Sequence, residues 1–345
     1  MLFRSQGPLS VAQFMAMALY DPQAGYYATR DPLGAGGDFI TAPEVSQMFG
    51  ELLGLWIVQA WRDQGRPSPA RLVELGPGRG TMMADALRAA RIDPDFLANL
   101  EVVLVEASPK LRTVQAETIK YPTLRWVDHF DDSLADRPLF VLANEFFDAL
   151  PIRQFVMTDS GWRERMVGLG ADGNLAFALS PDASALPVPS QRGLPETGAV
   201  YEISPAGEAI VGQIAHAIGS KGGAALIVDY GYGGDAPFGD TLQAVSEHAY
   251  ASILDAPGEA DLSAHVDFAA LSSAAEFAGA RPWGPVEQGA FLCNLGIVQR
   301  AEALSRNHLQ SMENQLNRLI LPEKMGTLFK ALAILPKGGP APAGF

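Results

Sequence analysis

The chain has 345 residues, enough for one large elaborated domain or two ordinary ones. With 48% hydrophobic and 19% charged residues it has the composition of a globular protein rather than a disordered one. A formal net charge of −14 speaks against broad nucleic-acid or anionic-membrane binding, which need basic surface, and leaves room for a cationic partner.

The first predicted element is a helix over "VAQFMAMAL", with Ser10 and Gln13 spaced as a capping box. A second starts at "TAPE", where Thr41 and Glu44 repeat the box, and Val45, Phe49, Leu52, Leu53, Trp56 and Ile57 recur at helical spacing. Between them "RDPLGAGGDFI" is a glycine-rich candidate lid or ligand loop. From residue 71 strands and helices alternate: "RLVEL", "EVVLVE", "LRWV", "LFVLA" and "AALIVDYG" read as strands, and alternation of this kind predicts a parallel sheet. Ser108 and Pro109 start the helix "KLRTVQAETI", and Ser204 caps "SPAGEAIVGQIAHAIG". Residues 152–203 are β-like and proline-rich, whereas residues 230–266 read as glycine-rich and irregular. Both follow strands at the ends where open α/β sheets hold ligands. A helix-rich stretch after residue 294, which either mediates dimerisation or covers the sheet, precedes a closing strand in "TLFKALAIL".

The single cysteine, Cys293, excludes a disulfide framework and a cysteine-based zinc site. Its apolar setting, "AFLCNLG", predicts a buried thiol. Five scattered histidines show no ligand spacing, so no metal is expected. No apolar run reaches the length of a membrane span, and the N-terminus lacks the pattern of a signal peptide. A cytoplasmic protein is therefore expected.

"VELGPGRGT" is the strongest local signal. Gly76, Gly78 and Gly80 lie between a strand and a helix, where glycine permits a tight turn and close approach to a ligand. The spacing is GxGxG, not the GxGxxG of dinucleotide enzymes, and Glu74 sits at the strand end, so hydride chemistry is the weaker reading. The pattern resembles the first motif of seven-stranded, Rossmann-like S-adenosylmethionine-dependent methyltransferases, with Pro77 and Thr81 completing the loop. Glu106, ending the second strand, can accept both ribose hydroxyls. Asp128, after the third, is placed to meet an adenine amino group or to be a solvated loop residue.

"GGDFITAPEVSQMFGELLGLW", "LVELGPGRGT", "NEFFDALP" and "SAHVDF" occur in this order. Together they resemble the MidA-type family of the mitochondrial complex I assembly arginine methyltransferase and its bacterial relatives, over nearly the whole chain. The resemblance implies an α/β fold, a Rossmann-like seven-stranded methyltransferase sheet with an N-terminal helical extension and substrate-site insertions. Its parts are residues 1–69 (helical extension and cofactor lid), 70–151 (first half of the core), 152–203 (inserted β-rich substrate region) and 204–345 (second half, with insertions near 230–266 and 294–320). It implies S-adenosyl-L-methionine as cofactor, with Asp38, Phe39 and Thr41 joining the cofactor residues. It also implies a protein partner with an accessible arginine, for the mitochondrial member the quinone-module subunit of complex I.

An arginine acceptor is cationic and presents a planar fork of donors. Carboxylates that grip the fork localise its charge on one nitrogen and leave another more nucleophilic. Glu145 and Asp148 in "NEFFDALP" have the required chemistry, and their i, i+3 spacing shares one face if the turn is helical. Phe146 or Phe147 can wall the acceptor, Asn144 can cap a helix or touch the cofactor, and His265 can orient the acceptor or relay its proton. A methyltransferase for small molecules and a non-catalytic S-adenosylmethionine-binding assembly factor are the alternatives.

Overall fold

The structure is a computed structural model that describes residues 7–29, 41–186, 188, 193–233, 238–246, 249–304 and 309–345. Its chain forms two compact units, one from Met1–Phe39, Asp148–Glu208 and Tyr232–Asp267, the other from Ile40–Phe147, Ala209–Gly231 and Phe268–Phe345.

The second unit is built on seven strands: β1 (Ala70–Leu75), β2 (Leu100–Val105), β3 (Leu124–Val127), β4 (Leu139–Asn144), β5 (Gly223–Tyr232), β6 (Ala280–Glu287) and β7 (Phe329–Pro336). They lie in the order β6-β7-β5-β4-β1-β2-β3. β5, β4, β1, β2 and β3 run parallel, while β7 is antiparallel to both β5 and β6. Every residue of β1 and β4 is buried, including Arg71, Glu74 and Asn144, so neither strand shows a polar–apolar alternation: a parallel strand covered on both faces has no solvent side to alternate with. The order reverses between β1 and β4, and the crevice at such a reversal is where open α/β sheets bind ligands.

Helices Gln47–Asp63 and Thr81–Ala89 cover one side, and Gly54 shows how closely, since a Cβ there would stand 2.5 Å from Ala86 backbone. Phe49, Leu53, Trp56, Leu72, Phe140, Leu226 and Leu335 belong to the core of this unit. The helix expected to begin at "TAPE" is instead two. Ala42–Val45 has no side-chain cap at Thr41, and an extended Ser46 starts Gln47–Asp63 by accepting from Met48 N. Glu44, the other half of the expected box, accepts from Thr81 Oγ at 2.6 Å. Cys293 is exposed, contrary to the expectation from its neighbours. In the helix Gln288–Asn294 the 3.6-residue period turns Phe291 and Leu292 inward and the next position outward.

In the first unit Leu9–Ser10, Gly161–Leu169, Arg153–Thr158 and Val200–Ile203 form a sheet in that order, and Leu175–Ala183 pairs with Gly161–Leu169. The helix Val11–Tyr20 begins with the expected Ser10–Gln13 capping box. Val11, Phe14, Met15, Leu19, Tyr26, Ile152 and Leu262 form its core. The stretch expected as irregular contains a small antiparallel sheet of Ala249–Ala251, Gln243–Ser246 and Asp261–Ser263.

Candidate functional site

The glycine turn follows β1. Gly76, Gly78 and Gly80 have φ of 60°, 52° and 83°, in the left-handed region that favours glycine. Gly80 N donates to Pro77 O at 2.8 Å, closing the turn, and Gly76 N donates to Val105 O at 3.2 Å at the end of β2. A Cβ on Gly76 would lie 2.9 Å from Phe146 Cδ2, so the Phe146 ring packs directly against the turn. Gly76→Ala combines a backbone cost of about 1 kcal/mol with displacement of that ring. The expected result is cofactor binding weakened by roughly tenfold, read by calorimetry with S-adenosylhomocysteine.

Glu74 precedes the turn, buried in β1, and its Oε2 has no hydrogen-bond partner. Burial pushes its carboxyl up to about 8, so it is protonated at neutral pH. The folded-state pKa exceeds the unfolded one, so the chain's stability is full below the unfolded value of 4.5 and declines as pH rises towards about 8. Thermal unfolding across this window is expected to show the decline in the wild type, and a flatter profile in Glu74→Gln.

Glu106 leaves β2 with Oε1 accepting from Ser108 N at 2.8 Å and Oε2 from Gln115 Nε2 at 3.1 Å. Desolvation raises its pKa above the usual carboxylate range. Arg112 binds the Glu106 carbonyl and also Asp128 Oδ1, the latter at 2.5 Å, and the Asp128 side chain is 72% exposed. Ser108 caps the helix Pro109–Thr118 as expected.

At the end of β4 the chain does not enter a helix. Asn144 is therefore no helix cap, and the i, i+3 argument for a shared face of Glu145 and Asp148 falls with it. Glu145 has φ of 50°, a costly conformation for a residue with a side chain. It is held there by Glu145 N donating to Val228 O at 3.0 Å, and by Ala42 N and Asn144 Nδ2 each donating to its Oε1 at 3.1 Å. The buried carboxylate of Asp229, in β5, accepts from Phe146 N at 3.1 Å and Phe147 N at 3.0 Å, bracing the turn from below. Asp229 and Gln115 were missed in the sequence; a carboxylate closing the apolar run "AALIVD" was the only visible signal for the first.

Asp148 and His265 belong to the first unit. Asp148 is buried, and its carbonyl accepts from Ala264 N at 2.9 Å. Tyr20 Oη donates to Ala149 O at 2.9 Å, and burial, then the charge of Asp148, lift its pKa above the usual tyrosine value. His265 N donates to Thr241 Oγ at 2.9 Å, and Thr241 Oγ in turn donates to Glu202 Oε2 at 2.5 Å. Burial lowers the His265 pKa, leaving a neutral imidazole at neutral pH. The second unit thus brings together Glu74, Gly76, Pro77, Gly78, Gly80, Thr81, Asn144 and Glu145 around the ends of β1 and β4, with Glu106 at the end of β2. Asp38 and Phe39 lie outside the described residues.

A glycine cradle that a Cβ would fill, a buried carboxyl with an unpartnered oxygen and a positioned acidic acceptor lie at the reversal of the strand order, where open α/β sheets bind their ligands. Residues 52–286 match the family model for S-adenosyl-L-methionine-dependent methyltransferases, and the chain belongs to this family. It is 40% identical to the protein arginine methyltransferase NDUFAF7 of Danio rerio, a mitochondrial protein, over 95% of this chain and 84% of that one. The Homo sapiens protein of the same name is 38% identical over 96% and 81%. A Burkholderia thailandensis protein solved with bound S-adenosyl-homocysteine is 29% identical, superimposes with a TM-score of 0.86, and is matched over 99% of this chain and 91% of its own. The protein is an S-adenosylmethionine-dependent methyltransferase. The expectation of a cytoplasmic protein is withdrawn, because these curated relatives are named as mitochondrial. Bulk charge and the lack of a secretory pattern do not report that compartment.

Proposed function

We propose that the protein is an arginine N-methyltransferase acting on a protein, with Glu145 gripping the guanidinium of the acceptor. The observation that carries this reading is the strained, over-determined carboxylate of Glu145 at the end of β4, beside a turn whose Phe146 ring packs against the glycine cradle. The names of the relatives, protein arginine methyltransferases, support the acceptor class. When bound, S-adenosylmethionine supplies an electrophilic methyl group. The glycine turn with Pro77 and Thr81, together with Glu74, Glu106, Asp128 and Asn144, are the residues proposed to hold it, with Asp38, Phe39 and Thr41 added by the family resemblance.

Displacement at a sulfonium needs little covalent assistance, so orientation and charge placement are the chain's contribution. Glu145 would fix the guanidinium plane by charge-assisted hydrogen bonds and draw positive charge away from the attacking nitrogen. Asp148 is proposed as an acceptor-side carboxylate and His265, neutral, as an acceptor for the departing proton. The quinone-module subunit of respiratory complex I is the proposed acceptor protein. Mass spectrometry of that subunit, from cells with and without this protein, tests the assignment. Loss of a methyl-arginine on deletion supports it; loss of assembly with no methyl mark in either strain replaces it with a non-catalytic assembly factor.

A further inference from the structure

Gln115 lies on the helix Pro109–Thr118, 0% exposed, and its amide is used on both ends. Its Oε1 accepts from Trp126 Nε1 at 2.8 Å; its Nε2 donates to Gly78 O at 2.7 Å and to Glu106 Oε2 at 3.1 Å. An indole N–H can only donate, so Trp126 dictates which end of the amide is oxygen. The two amide hydrogens are thereby directed at a carbonyl of the glycine turn and at the carboxylate of the second strand. One side chain ties three consecutive strand ends, those of β1, β2 and β3, through groups that no local pattern connects.

Glu106 accepts Ser108 N on Oε1 and Gln115 Nε2 on Oε2, and the Ala107 N–H also favours its charged form. A carboxylate oxygen has two lone-pair sites, so each oxygen keeps a second site for another donor. A vicinal diol matches two such sites held in one plane. We propose that Gln115 is the positioning residue of the cofactor site: it fixes the rotation of the Glu106 carboxylate for the ribose diol and locks that carboxylate to the glycine turn. The inference rests on the assignment of Glu106 to the ribose hydroxyls. Asparagine is one methylene shorter than the span requires. An ionised glutamate would present an oxygen to both Gly78 O and Glu106, and an apolar residue would donate to neither.

The test is calorimetry on the full chain, with S-adenosylhomocysteine and with its 2′,3′-dideoxyribose analogue, at mildly alkaline pH. The wild type is expected to prefer the natural ribose. Gln115→Met, and the isosteric Gln115→Glu that still accepts from Trp126, are each expected to cut that preference by about tenfold, the loss of a hydrogen bond to a charged group. A general loosening of the fold would weaken both ligands alike and leave the preference unchanged, so an unchanged preference in the folded variants overturns the role of Gln115. If the wild type itself has no preference, the ribose assignment of Glu106 fails, and the inference with it. Retained preference in the wild type and both variants removes Gln115 alone.

Discussion

Glu145→Gln is expected to lower methyl transfer by roughly a thousandfold, about 4 kcal/mol of transition-state stabilisation, with the dissociation constant for S-adenosylhomocysteine almost unchanged. The substitution keeps the local structure. Ala42 N and Asn144 Nδ2 both donate to one oxygen, Oε1, which an amide retains, and the backbone bond to Val228 O does not involve the side chain. What is lost is the negative charge and one acceptor, the two properties a guanidinium requires. Single-turnover assays with a methyl-labelled cofactor separate this from a binding defect. Unchanged turnover would leave Glu145 as a brace for the helix Ala42–Val45 and move the acceptor site elsewhere.

Glu106→Ala is expected to produce the opposite split, cofactor affinity weakened by about a hundredfold and a chain that still folds. Two charge-assisted hydrogen bonds to ribose hydroxyls, at roughly 1.5 kcal/mol each, account for this size. The fold keeps its other ties at that point: Arg112 still binds the carbonyl of residue 106, Ser108 Oγ still caps the helix Pro109–Thr118, and Gln115 Nε2 retains Gly78 O. Calorimetry paired with thermal unfolding reads both quantities. A dissociation constant equal to that of the wild type would show that the carboxylate serves the fold and not the ribose.

The parallel strands were legible because burial on both faces leaves apolar runs bounded by turns, and the glycine turn was legible because positive φ restricts the residue type. β6 was not, since "ARPWGPVE" contains two prolines, which argue against a strand. It is tolerated because β6 is at the end of the strand order, paired among the described residues with β7 alone, and bulged between Trp283 and Val286. The Thr41–Glu44 pair shows the same limit at a finer scale. Its spacing fits a capping box, yet Glu44 finds a tertiary partner in Thr81, 37 positions away. Asp229 and Gln115 escaped for that reason as well, because their value lies in partners such as Phe146, 83 positions away, and Gly78, 37 away. The identity of Glu145 as a candidate was readable from "NEFFDALP", but the left-handed backbone that singles it out was not. The helical turn expected there would have put Glu145 and Asp148 on one face, and the chain forms no helix at these residues.

The most direct test of arginine methylation through Glu145 is transfer of a labelled methyl group to complex I quinone-module subunit in vitro, with wild type and Glu145→Gln at equal cofactor occupancy. Methyl-arginine at a defined site with the wild type, and essentially none with the variant, is the predicted result. Equal labelling by both proteins, or label on a residue other than arginine, would contradict it.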